Sequence, residues 1–187
     1  MEKIIKDCVD LLNAGKVILY PTDTVWGIGC DATNAAAVQR VFEIKQRSEQ
    51  KSMLILLDDV VKLPQYVRHV PDIAWDILPT TTRPTTYIYP GAYNLPEIMI
   101  PADHTIAIRI VQQGFCHELL RAFQKPLVST SANVSGMPSP LTFSEISEEI
   151  SAAMDFIIPE SYCDSVNYKP SRMIRFLDNN DFIVISE

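Results

Sequence analysis

Apolar positions recur every three to four residues at the start of the chain and then give way to short unbroken runs. Ile4, Ile5, Cys8, Val9, Leu11 and Leu12 fall on one helical face, and Gly15 marks a stop. "KVILY" reads as a buried strand ending at Pro21, followed by a turn-rich connection, "PTDTVWGIGCDA". "NAAAVQRVFEIKQR", from Asn34, predicts a helix with Ala37, Val38, Val41, Phe42 and Lys45 along one stripe. "SMLILL" predicts a second strand. The stretch 58–78 reads as two helical pieces broken at Pro64 and Pro71. "PTTTRPTTYIYPG" predicts a loop entering a strand of β-branched and aromatic residues, and "TIAIRIV" alternates as another strand.

Further along, Phe115 to Phe123 reads as a helix and "PLVST" as a strand. "SEISEEISAAM" predicts a helix with Ser144 as N-cap and Glu148 and Glu149 in its early turns. "FIIP" is a short strand, and "SRMIRFLDNNDFIVIS" predicts two strands around an Asn-Asn turn. Strands and helices interleave and a hairpin closes the chain. The expected fold is therefore α/β with a mixed parallel and antiparallel sheet, in one domain over 1–187. No repeat or linker divides it, since the 13 prolines are spread along the chain.

A chain of 187 residues can bury a sizeable core, and 47% hydrophobic with 21% charged residues argues against disorder. The formal net charge of −7 speaks against an extended nucleic-acid face, although the scattered Lys and Arg leave room for a local patch. Cys8, Cys30, Cys116 and Cys163 form no CxxC pair, so reduced, mostly buried thiols are expected. The first residues, "MEKIIKDCVDLL", lack the apolar core of a signal peptide, and no apolar run is long enough for a bilayer. The expected location is cytoplasmic, with no membrane partner.

The chemistry-bearing patterns are few. No GxxxxGK[ST], GxGxxG or GxSxG motif occurs, and His69, His104 and His117 have no evident catalytic partners. No ligand set for a metal is apparent. Three stretches remain. Thr22-Asp23-Thr24 follows a strand end, where ligands gather in α/β sheets; an Asx or ST turn explains it equally. Lys45-Gln46-Arg47, with Lys51 beyond, fits either a cationic fork for phosphate or carboxylate, or cations complementing a helix dipole. Ser129-Thr130-Ser131-Ala132-Asn133 is a dense cluster of neutral donors after an apolar run. It fits a ribose, base edge or phosphate, or else a strand-exit turn.

Taken in this order, the stretches resemble the YrdC-like family, the threonylcarbamoyl-adenylate synthases of tRNA modification. "YPTDTVWGIGCDA" resembles that family's opening signature, "KQR" its KxR element, "RPTTYI" its PGPxT segment, "PLVSTSANVSG" its SxN element and "PSRMI" its PST element. "IAIRI" supplies Arg109. Ser52 stands where the family usually has Pro, Arg83 in place of the Gly of PGPxT, and Arg172 in place of the Thr of PST.

The resemblance implies a twisted mixed sheet flanked by helices around a deep cavity. The implied reaction makes threonylcarbamoyl-AMP and pyrophosphate from L-threonine, bicarbonate or CO2, and ATP carrying Mg²⁺. The product would pass to a separate tRNA threonylcarbamoyl-transferase complex acting at position 37, with weak RNA contact by this chain. Lys45, Arg47, Ser131 and Asn133 would be the catalytic set. Lys45, Arg47, Arg109, Thr130, Ser131 and Asn133 would bind nucleotide, and Thr22, Thr24, Lys51 and Ser171 would bind threonine. The family often ends in an Arg for the threonine carboxylate. This chain ends "FIVISE", which leaves Arg172 and Arg175 as candidates. Two rival readings are a non-catalytic tRNA- or double-stranded-RNA-binding module of the same fold, and the carbamoyl-adenylate chemistry of hydrogenase maturation.

Overall fold

A computed structural model of the chain describes residues 1–46, 53–163, 170–177 and 179–186. In chain order its helices are α1 (Glu2–Asn13), α2 (Ala35–Ile44), α3 (Asp72–Ile77), α4 (Gly114–Phe123) and α5 (Glu148–Ala152). Its strands are β1 (Ile18–Tyr20), β2 (Gly27–Gly29), β3 (Leu54–Leu57), β4 (Thr85–Pro90), β5 (Thr105–Ile110), β6 (Leu127–Ser131), β7 (Phe156–Ile157), β8 (Arg172–Phe176) and β9 (Phe182–Ser186). The strands join in one sheet, ordered β7-β1-β2-β6-β3-β5-β4-β8-β9. The pairs β1–β7, β3–β5 and β4–β8 are parallel and the others antiparallel, so the expected mixed α/β sheet is found.

The sheet is sandwiched between two apolar clusters. On one face α1 and α4 meet, with Ile5, Cys8 and Leu12 against Phe115, Leu119 and Phe123. The spacing of Ile5, Cys8 and Leu12 is the helical one, and Gly15, at φ +73°, takes the left-handed turn that ends the segment. On the other face lies the larger cluster, where α2 contributes Ala37, Val38, Val41 and Phe42. Asn34 caps α2 by accepting from the Ala37 N–H at 3.1 Å. Cys8, Cys30 and Cys116 are buried thiols, as expected.

Four local expectations need correction. The connection after Pro21 is not all turn, because it holds β2, whose "GIG" has no β-like composition. Glycine is required there: a Cβ on Gly29 would sit 2.6 Å from both the Tyr20 ring and the Val128 carbonyl. Helix α2 stops at Ile44 rather than at Arg47. The Lys45 carbonyl is taken by the Ser135 N–H at 2.9 Å, and Gln46 turns left-handed at φ 48°. The first piece of 58–78 is a 3₁₀ helix, Val60–Gln65, with Pro64 inside it. Ser144 is not the cap of α5. Ser147 is, accepting from the Ile150 N–H, while Thr142 and Glu145 form a capping box on the 3₁₀ turn Phe143–Glu145.

The closing hairpin is as expected, with Asn180 at φ 60° in its turn. Its Oδ1 also accepts from the Ile73 N–H at 3.0 Å, so the turn satisfies a donor at the start of α3. No helix among the described residues is long and apolar enough to cross a membrane.

Candidate functional site

Strand register assembles a polar track from residues far apart in sequence. Ser131, the last residue of β6, lies opposite Gly27 of β2. A Cβ on Gly27 would meet the Thr22 methyl at 3.1 Å and the Ser129 hydroxyl at 3.3 Å. The missing side chain at Gly27 therefore lets the threonine turn fold against the hydroxyl end of β6. Within that turn the Thr22 and Thr24 hydroxyls are 2.9 Å apart, Thr22 Oγ1 donates to the Val25 carbonyl at 2.7 Å, and both threonines are buried.

Lys45 joins the track from the opposite apolar layer. Its side chain is only 1% exposed, and Nζ donates to the carbonyls of Ser131 at 2.5 Å and Asn133 at 2.6 Å. Ser131 Oγ donates to Asn133 Oδ1 at 2.5 Å, and the Asn133 amide donates to the Met137 and Val134 carbonyls. The structure thus puts the end of α2 and the tip of β6 in direct contact, because the ammonium needs acceptors once α2 ends and its stem is buried. Thr130 lies between Ser129 and Ser131, so the two-residue period of β6 sends its side chain to the other face, with Val128.

Arg109 extends the track across the sheet. It is 3% exposed and pairs with Asp23 at 3.0 Å, while its Nε has no hydrogen-bond partner. Its register neighbour on β4 is Thr86, which is fully buried and shares a 2.7 Å hydrogen bond with the Ser171 hydroxyl. Ser171 is thus joined to the track through a residue that sequence reasoning passed over. Thr86 looked like an ordinary β-branched strand position, and only the register shows its neighbours. Arg175 is committed to Asp103 on the surface, which removes it as a candidate for the substrate carboxylate. Arg172 is not among the residues lining the cavity described next, and neither are Thr24, Lys45, Arg109, Thr130, Ser131, Asn133 and Ser171; of the expected site residues that are described, Thr22 alone lines it. Arg47 and Lys51, like Ser52, lie outside the described residues.

A cavity of about 610 Å³ opens beside this track. Thr22 and Asp23, the loop 81–85, and Gln112, Gln113 and Cys116 at the entrance to α4 are among the residues that line it. That volume suits a small-molecule ligand. The buried thiol and phenol nearby stay protonated at neutral pH. Burial pushes the Cys116 thiol and the Tyr20 hydroxyl well above their usual values, so neither is a ready nucleophile or base. The wall offers hydroxyls, amides and fixed charges. It can bind, orient and neutralise, and it has no nucleophile–base pair for covalent catalysis. No group of three or more His, Cys, Asp or Glu side chains among the described residues could hold a metal ion.

Comparison with known proteins places these features in context. The sequence model of the Sua5_yciO_yrdC family, described as telomere recombination, matches residues 10–185. A threonylcarbamoyl-AMP synthase of Pseudoalteromonas translucida is 35% identical over 162 residues, 85% of this chain and 87% of that protein. The threonylcarbamoyl-AMP synthase of Escherichia coli K12 is 32% identical over 156 residues, 82% of each. Among solved structures, E. coli YciO superposes with a TM-score of 0.86 at 25% identity, over 100% of this chain and 90% of that one. P. abyssi Sua5 complexed with L-threonine gives 0.86 at 25% identity, over 94% and 52%.

Proposed function

This chain belongs to the Sua5/YciO/YrdC family, and from that premise we propose that it is a threonylcarbamoyl-AMP synthase, a nucleotidyltransferase using L-threonine, bicarbonate or CO2, and ATP. The observation that supports the reading is the built junction of Lys45, Ser131 and Asn133, joined through Gly27 to the threonine turn that lines the cavity, with no activated nucleophile among the described lining residues. Such a site suits a reaction whose nucleophile belongs to the substrate. The threonine amine adds to CO2 to give a carbamate with loss of a proton. The carbamate oxygen then attacks the α-phosphorus of ATP, and pyrophosphate departs. The protein has to position three reactants and offset phosphate charge, and both tasks are electrostatic and geometric.

In this reading Ser131 and Asn133 present donors to the adenylate, and Arg109 supplies buried positive charge. Lys45 acts first as a positioning residue. Two of its three donors hold the Ser131 and Asn133 carbonyls and the third lies 3.5 Å from Asn133 Oδ1, so contact with phosphate would compete first with that longest contact. Thr22, Thr24 and Ser171 form the threonine end, with Arg47 and Lys51 as further cations. Mg²⁺ enters as the substrate complex MgATP. Asp23 is the one carboxylate at the described cavity wall and is already paired with Arg109, so ATP oxygens are the better ligands. The product would go to a separate tRNA-modifying transferase in the cytoplasm. Any direct RNA contact is weak, since the chain carries a net charge of −7.

Pyrophosphate release from ATP, measured with and without threonine and bicarbonate, tests the proposal. Release should require all three substrates, and Asn133→Ala should lower it by at least about 100-fold with an unchanged circular dichroism spectrum. Release independent of threonine, or none, would overturn it.

A further inference from the structure

We infer that Arg83 binds the carboxylate of the amino-acid substrate and that Asp23, across the same cavity, faces its amine; this rests on the function proposed above. Among the described residues lining the cavity, the two side chains of charged type have opposite signs: Arg83 and Asp23. The other polar groups of the wall are neutral, including the hydroxyls of Thr22, Thr82 and Thr85. One cation, one anion and hydroxyls on the same wall form the complement of a zwitterion with a hydroxylated side chain. A polyphosphate calls for several cations on one wall. The Lys45–Asn133 junction and Arg109 answer that need elsewhere on the track.

The backbone supports this role for Arg83. Pro84 follows it and fixes the next φ angle, and the Thr85 hydroxyl donates to the Arg83 carbonyl at 3.1 Å. Arg83 thus sits on an anchored loop at the entrance to β4, exposed and on the cavity wall, and an arginine there can meet a carboxylate in a bidentate fork. Asp23 is held in place by Arg109 and keeps 18% of its side chain exposed. A substrate oriented between the two turns its amine toward the interior track, where the carbamate must form.

The test uses threonine and threoninamide, which replaces the carboxylate by a neutral amide, on the full chain and on Arg83→Gln. In steady-state pyrophosphate release the wild type should favour threonine over threoninamide by about 10-fold or more, and Arg83→Gln should reduce that preference to about twofold. The variant should raise KM for threonine about 10-fold and leave KM for ATP within about twofold. Arg83→Lys should recover part of the preference, which a general disturbance of the loop would not allow. An unchanged preference in Arg83→Gln, or a rise in KM for ATP alone, would overturn the inference while the synthase reading stands. If the wild type shows no threonine-dependent turnover, the synthase reading fails instead. Calorimetric titration of threonine and threoninamide into wild type and Arg83→Gln then decides the inference by the same ratio.

Discussion

Two pairs of oppositely charged side chains in this molecule look alike on paper and differ in everything that matters. Arg109 on β5 pairs with Asp23, which lies in the turn after β1 and on the cavity wall, and the arginine side chain is 4% exposed. Arg175 and Asp103 lie at the surface, with side chains 35% and 52% exposed. Water and salt screen the second pair, which contributes little. Removing the first pair from water costs several kcal/mol per ion, and the attraction between the partners only repays that cost. A fold gains no clear stability from such a pair over apolar residues of similar size. Its retention beside a cavity is therefore better explained by a ligand that needs fixed charge. Lys45 makes the same point: a buried ammonium is kept where main-chain carbonyls can hold it and a donor cluster adjoins it.

The contrast can be broken from the buried side first. Arg109→Met should destabilise the fold by about 3 kcal/mol, because it leaves Asp23 without its counter-charge. Asp23→Asn in the same chain should recover at least about 1 kcal/mol of that. Urea unfolding of the two single variants and the double variant measures the coupling, and additive losses would mean the pair is not a unit. Lys45→Met comes next, at about 1–3 kcal/mol, since it removes the Nζ donor from the Asn133 carbonyl and from the Ser131 carbonyl, which keeps the Asn133 N–H. It should also abolish threonine-dependent pyrophosphate release. Lys45→Arg should not restore activity, because a planar fork does not fit a cradle shaped for one ammonium.

Asp155 sits between the two extremes, with 19% of its side chain exposed. Burial raises its pKa, but the Val17 N–H at 2.8 Å, the Arg40 guanidinium and Lys16 at 3.6 Å reverse that and leave it below the ordinary carboxylate value. A depressed carboxylate stabilises the fold above the unfolded pKa of about 3.9 and loses that contribution as pH falls through the folded value. Asp155→Asn should therefore cost up to about 1 kcal/mol at pH 7. The gap from wild type should shrink as pH is lowered from 5 toward 2, read from urea midpoints. The smallest effect belongs to the surface pair. Arg175→Ala should change stability by less than about 0.5 kcal/mol, and a larger loss would undo the contrast drawn above.

Much of the fold was legible in local pattern. The face of α1, the stripe of α2, the alternation of β5 and the Asn-Asn turn follow from spacing and turn chemistry, which act within a few residues. The misses share a different cause. Strand β2 was hidden because "GIG" is selected by the Tyr20 ring and the Val128 carbonyl, both distant in sequence. The end of α2 was misplaced because Ser135 takes the Lys45 carbonyl. Two serines, each followed by Glu, compete to cap α5, and local sequence does not choose between them. At the site, the donor cluster, the Thr22-Asp23-Thr24 turn and Lys45 stood out by composition, whereas Thr86 did not, and nothing local paired Asp23 with Arg109. The role of Thr86 comes from register and that of Asp23 from one ion pair.

The amino-acid sequence by itself determined which segments are helix or strand, which faces are apolar, and which few residues had chemistry to offer, because periodicity and side-chain type are local properties. Tertiary structure decided the rest. It put "FIVIS" at an exposed sheet edge, with Ile183, Val184 and Ile185 facing solvent, although its composition suits a central strand. It brought Lys45 onto the carbonyls of β6, set Arg109 against Asp23, and left Arg83 at the cavity wall. Each of these depends on contacts between residues tens of positions apart, and the order in which strands join the sheet fixes such contacts.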